Sequence, residues 1–81
     1  MLLLAACESR ALSAAEAIKL TNGWWAHQFS TPPDPRLIVT TKDLGGRWQV
    51  TYTPPPDAAG GETILTVDKA TGGVTFVGGS Q

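Results

Sequence analysis

An α+β fold, with one N-terminal helix laid on a three- or four-stranded antiparallel meander, follows from three features of this 81-residue chain. Ser13-Ala14-Ala15-Glu16 has the form of a helix N-cap, and apolar residues of helical period follow it. Three prolines between Thr31 and Pro35 then stop the helix, and beyond them apolar residues recur at every second position. Glycine pairs cut that alternating region into lengths suited to short strands. A helix and a sheet of this kind bury their apolar faces against each other as a two-layer sandwich.

The helix is expected to begin at Ala14. The Ser13 hydroxyl accepts from the Glu16 amide, and the Glu16 carboxylate reaches back to the N–H of the cap. Ala14, Ile18, Trp25 and Phe29 fall near one face, with Ala17, Thr21 and Asn22 beside them. Gly23 weakens a helix by about 1 kcal/mol relative to alanine, and Asn22-Gly23 would also serve as an early C-cap. A helix carried on to about Gln28 is preferred, because Trp25 and Phe29 continue the stripe begun by Ile18.

The first strand is expected around Leu37, Val39 and Thr41, and Gly45-Gly46 turns the chain back. Trp48, Val50 and Tyr52 alternate with Arg47, Gln49, Thr51 and Thr53, the clearest half-buried strand in the sequence. A loop from Pro54 to Gly61 leads to a third strand, Glu62 to Asp68, with Leu65 and Val67 on one face. Asp68 to Gly73 reads as a hairpin connection in which Asp68 caps turn amides and Gly72 takes a positive φ. Val74 and Phe76 begin a short fourth strand. The helix is then expected across Leu37, Val39, Trp48, Val50, Tyr52, Leu65, Val67, Val74 and Phe76.

Composition narrows the function. Six basic against seven acidic side chains, with no run of either sign, lack the clustered basic face of a nucleic-acid binder. One Cys and one His supply neither a disulfide framework nor the usual metal cluster, so no metal and no other cofactor is expected.

Leu4-Ala5-Ala6-Cys7 resembles a bacterial lipobox, in which a small-residue pair precedes the cysteine that receives diacylglycerol. The resemblance implies cleavage before Cys7, lipidation of its sulfur, and, with Glu8 following, an outer-membrane lipoprotein facing the periplasm. Only five apolar residues and no Lys or Arg lie between Met1 and Cys7, against about 7–15 in a signal peptide core. Either the true start lies upstream, or this is a short apolar tail with a free thiol; the lipoprotein reading is preferred. On it, residues 1–6 are a truncated signal segment, 7–12 a tether, and 13–81 a single domain.

The domain resembles small bacterial envelope domains of the PepSY and NTF2-fold immunity type. The residues concerned are the helix Ala14–Ile18, the strand Arg47–Tyr52, and Gly60-Gly61 followed by Thr66-Val67-Asp68-Lys69-Ala70-Thr71-Gly72. The resemblance implies a protein-binding role, restraining a protease in the first family and neutralising a toxin in the second.

Catalysis is not expected. Asp43 and Asp57 fall in turns, Glu62 and Asp68 at strand ends, Glu16 in a cap, and His27 near a helix C-terminus. Trp24 and Trp25 point about 100° apart on a helix, so Trp25 is assigned to the core. Trp24 is then either an interface anchor or a ring lying over the helix–sheet seam. Pro54-Pro55-Pro56 is either a partner-facing PPII segment or a rigid spacer. The expectation is a non-enzymatic, lipid-anchored envelope protein that binds or modulates another protein. The alternatives are an immunity or protease-inhibitor role and a structural subunit of an envelope assembly; a small-ligand carrier is more remote.

Overall fold

A computed structural model describes residues 11–57 and 60–79, so Cys7 and the proposed signal segment lie outside the described residues. Helix α1 (Ala14–Phe29) is followed by β1 (Ile38–Asp43), β2 (Arg47–Thr53), β3 (Thr63–Asp68) and β4 (Val74–Gly79). The strands pair antiparallel in the order β1-β2-β3-β4, and α1 lies on one face of the sheet. This is the expected helix-on-meander sandwich, with four strands.

Local chemistry sets each boundary. Ser13 Oγ accepts from Glu16 N at 3.2 Å, and Glu16 Oε1 accepts from Ser13 N at 2.8 Å, closing the capping box. The helix passes through Gly23 and ends at Ser30, which takes the left-handed conformation at φ 59°. In the β3–β4 turn, Asp68 Oδ1 accepts from the amides of Ala70 and Thr71 at 2.8 and 3.1 Å. Gly72, at φ 78°, donates its N–H to the Asp68 carbonyl. A side chain at 72 would be strained in that conformation.

The core is small: Ala17, Val50, Tyr52, Leu65 and Val67 are buried, with Thr21 among them. Two expectations are corrected here. The buried face of α1 runs through Ala17 and Thr21, with Ile18, Trp24 and Trp25 partly buried beside them, and Phe29 is 53% exposed. Phe76, assigned to the covered sheet face, is also 53% exposed. Phe29 is the last residue of the helix, and for Phe76 the reason is width. Four strands about 4.8 Å apart spread over about 14 Å between the outer axes, more than one helix of about 10 Å diameter covers. Val50, Tyr52, Leu65 and Val67 on the central strands β2 and β3 are sealed, whereas Val39 and Val74 on the outer strands stay half-buried and Phe76 is exposed.

One end of the sheet is clamped. Trp48 Nε1 donates to the Leu12 carbonyl at 2.8 Å, and Lys69 Nζ lies 4.7 Å from the centre of the Trp48 ring and 2.6 Å from Asp43 Oδ1. Lys69 N also donates to the Gly46 carbonyl, which ties the two hairpin turns together.

Candidate functional site

The opposite end of the helix–sheet interface holds a hydrogen-bonded network and an open cleft. Tyr52 points from β2 into the core, and its hydroxyl needs a partner there. It donates to Asn22 Oδ1 at 2.6 Å and lies 2.7 Å from Thr21 Oγ1, which is itself 3.0 Å from the Ile18 carbonyl. Two hydroxyl protons serve three contacts, so Thr21 shares its proton between the Ile18 carbonyl and the Tyr52 oxygen. Burial pushes the Tyr52 phenol above its ordinary pKa, and the hydrogen bond from Thr21 opposes that rise.

Beside this network an open cleft of about 410 Å³ runs between α1, β1 and the proline loop. Its walls include Gly23, Pro33, Leu37 and Val39, and Asn22 and Tyr52 bring polar atoms to it. The loop that closes it is stiff. Arg36 N donates to Asp34 Oδ1 at 2.9 Å, the Arg36 guanidinium grips the same carboxylate through two bonds, and Leu37 N donates to the Asp34 carbonyl. That hydrogen-bonded pairing holds the Asp34 carboxyl below the usual carboxylate range. The two titratable groups of the cleft, Asp34 and Tyr52, are thus both engaged within the protein.

Gly23 is the unusual wall residue. A Cβ built there meets nothing within 4 Å, so neither packing nor backbone conformation in this chain requires the glycine. Its effect is to leave the helix wall of the cleft bare at mid-helix, where glycine costs about 1 kcal/mol.

From the other flank of α1 back to Tyr52 the aromatic side chains form a ladder. Phe76 stacks on Trp24 at 6.1 Å and 4°, and Trp24 meets Phe29 edge-on at 6.0 Å. Phe29 meets Trp25 at 5.3 Å, and Trp25 meets Tyr52 at 4.9 Å. Every aromatic residue except Trp48 belongs to it. Trp24 therefore lies over the helix–sheet seam, half-buried against Phe76, and a shallow apolar hollow opens between Trp24, Gln28, Phe29 and Phe76.

Pro54 and Pro55 are half-buried and Pro56 is exposed, and they line neither cleft. The prolines that build a wall are Pro32, Pro33 and Pro35, which the sequence presents simply as a helix stop. Two signals pointed toward this site: a tyrosine at an inward strand position, whose hydroxyl must be satisfied, and a glycine at mid-helix. Asp43 and Asp68 serve turns. Their carboxyls are held below the usual range, Asp43 first by Lys69 and Asp68 by the Thr71 and Ala70 amides. Among the described residues no group of three or more His, Cys, Asp or Glu could hold a metal. No protein-family model, no curated protein and no solved structure matches the chain.

Proposed function

We propose that this chain is a non-enzymatic, lipid-anchored protein of the bacterial envelope whose α+β domain binds another protein, taking an apolar segment of that partner into the cleft beside Gly23. The observation that carries the binding reading is Gly23 itself. A helix that accepts a glycine with open space around its Cα gives up stability and gains access to a groove. The groove is lined by Pro32, Pro33, Pro35, Leu37 and Val39 together with the polar Asn22, Asp34 and Tyr52, and it is partly open to solvent. This suits the side chains of a docking segment better than an enclosed small ligand, which is buried over most of its surface. Engagement of Asp34 by Arg36 and of Tyr52 by Thr21 and Asn22 favours recognition over acid–base chemistry. The anchor rests on Leu4-Ala5-Ala6-Cys7. Lipid chains at Cys7 contribute about 0.8 kcal/mol per buried methylene and keep the domain at the membrane surface.

The test uses the chain expressed from its native locus with the upstream DNA. Intact mass is expected to show a species beginning at an acylated Cys7, and Cys7→Ser to remove the acyl mass. A photo-crosslinking residue at exposed Pro32, on the cleft rim, is expected to capture one envelope protein. Gly23→Arg fills the cleft without loss of fold and is expected to abolish that capture. An unmodified chain beginning at Met1 overturns the anchor, and cross-linking indifferent to Gly23→Arg overturns the cleft.

A further inference from the structure

The sheet has two outer strands, and they differ in what they present. β1 is preceded by Pro35 and the Asp34–Arg36 ion pair, and it carries Lys42 and Asp43. Prolines and charges of this kind discourage a further strand from adding. β4, Val74-Thr75-Phe76-Val77-Gly78-Gly79, has no charge and no proline, and Phe76 and Val77 are 53% and 58% exposed. Among the described residues β4 pairs with β3 alone.

The direction of the backbone groups follows from the ladder. Asp68 N donates to the Gly73 carbonyl at 2.9 Å, which makes Asp68–Gly73 a hydrogen-bonded position. Bonded and non-bonded pairs alternate along an antiparallel ladder. Thr66–Thr75 is therefore bonded, while Val67–Val74 and Leu65–Phe76 are not. The N–H and C=O of Val74 and Phe76 consequently point out of the sheet, two donors and two acceptors on either side of Thr75. Beyond Phe76 the ladder is interrupted, since Val77 is an extra residue between the pairs Leu65–Phe76 and Ile64–Gly78.

We propose that β4 pairs antiparallel with β4 of a second copy of this chain, about a two-fold axis through Thr75, joining the two sheets into one of eight strands. In this register Val74 of each copy faces Phe76 of the other, and all four outward backbone groups of each strand find partners. An axis at Phe76 would instead bring the bulged Val77 into the pairing. On the helix side, each Phe76 ring, already stacked on Trp24 across one face, gains the Val74 of the second copy. On the far side the two Thr75 side chains meet, a favourable cross-strand pair. The strand is uncharged, so self-pairing puts no like charges opposite each other. A charged partner strand would gain nothing in return. The contact is small, so the dimer is concentration-dependent. The cleft beside Gly23 lies toward the β1 edge and stays open in both copies; this inference does not rest on the cleft reading.

The test is sedimentation velocity of the full chain carrying Cys7→Ser, from micromolar to millimolar protein. A reversible monomer–dimer equilibrium is expected. Thr75 is exposed, so Thr75→Lys leaves the fold intact by circular dichroism, and two opposed lysines weaken the dimer about fivefold or more at low salt. Mixing Thr75→Lys with Thr75→Glu is expected to restore a heterodimer. The 75–75 position is a non-bonded pair with Cα atoms about 4.5 Å apart, so Thr75→Cys in the Cys7→Ser chain should oxidise to a disulfide-linked dimer. A monomer at every concentration, or a dimer that ignores both charge variants and fails to cross-link, overturns the proposal. So does a monomer whose Val74 and Phe76 amides resist hydrogen exchange, because the edge is then covered from within its own chain.

Discussion

Along the flank of α1 that faces β2, Thr21, Asn22 and Trp25 meet Tyr52 through both ring packing and hydrogen bonds, and Tyr52 is 1% exposed. Along the flank that faces β4, Leu20 and Trp24 lie over Gly72 and Phe76, and the contact is apolar and half-open. The two flanks share the same aromatic ladder but use it differently. A buried polar network has one satisfied geometry, so it fixes the angle and register of helix on sheet. A stack of exposed rings has no such requirement and retains apolar surface that a further contact can cover. The β2 flank is fixed by packing and hydrogen bonds, and the β4 flank keeps exposed apolar surface.

The largest expected effect breaks the first flank alone. Tyr52→Ala should destabilise the domain by about 3–5 kcal/mol, the range for truncating a buried aromatic. Phe76→Ala, measured at concentrations where the chain is monomeric, should cost about 1 kcal/mol or less, because half of the ring already faces water. Urea unfolding of both variants checks the contrast, and equal losses would erase the distinction between the flanks. A finer measurement isolates the hydroxyl network. Tyr52→Phe and Thr21→Val should each cost about 1–2 kcal/mol. The double variant should cost less than their sum, since both substitutions delete the same 2.7 Å bond. Strict additivity would mean that the bond contributes nothing beyond packing.

The parts of the fold that were legible in the sequence are those decided within a few residues. The capping box at Ser13 and Glu16, the Asp68 cap with Gly72 in the hairpin, and the alternation of Trp48, Val50 and Tyr52 are local chemistry, and each is present in the structure. Depth of burial was not legible for Phe29 and Phe76. Periodicity assigns a residue to a face, whereas coverage depends on how far one helix reaches across four strands. The cleft is not legible in the sequence for a related reason. Its walls come from mid-helix, from the loop after the helix and from β1 and β2, and no sequence window contains them together. In the sequence Gly23 reads only as a weak point of the helix, because the open space around it depends on how the loop and β1 pack.

Alkaline pH sharpens the comparison further, because only the β2 flank carries a phenol. Thr21, Asn22 and Trp25, all uncharged, surround the Tyr52 ring, and burial raises its pKa. The folded chain therefore holds the phenolic proton to higher pH than the unfolded chain does. The associated stability is fully present below the unfolded value of about 10. It is lost as pH rises through the folded-state value, since the unfolded chain has by then released its proton. Tyr52 is the single tyrosine, so tyrosinate absorbance follows this group alone. It should ionise later than a free tyrosine and together with the loss of near-ultraviolet circular dichroism. Tyr52→Phe should remove the part of the alkaline instability that sets in above about pH 10. Ionisation near the free value with the fold intact would mean that water reaches the phenol. The β2 flank would then be as open as the β4 flank, and the division of labour between them would fail.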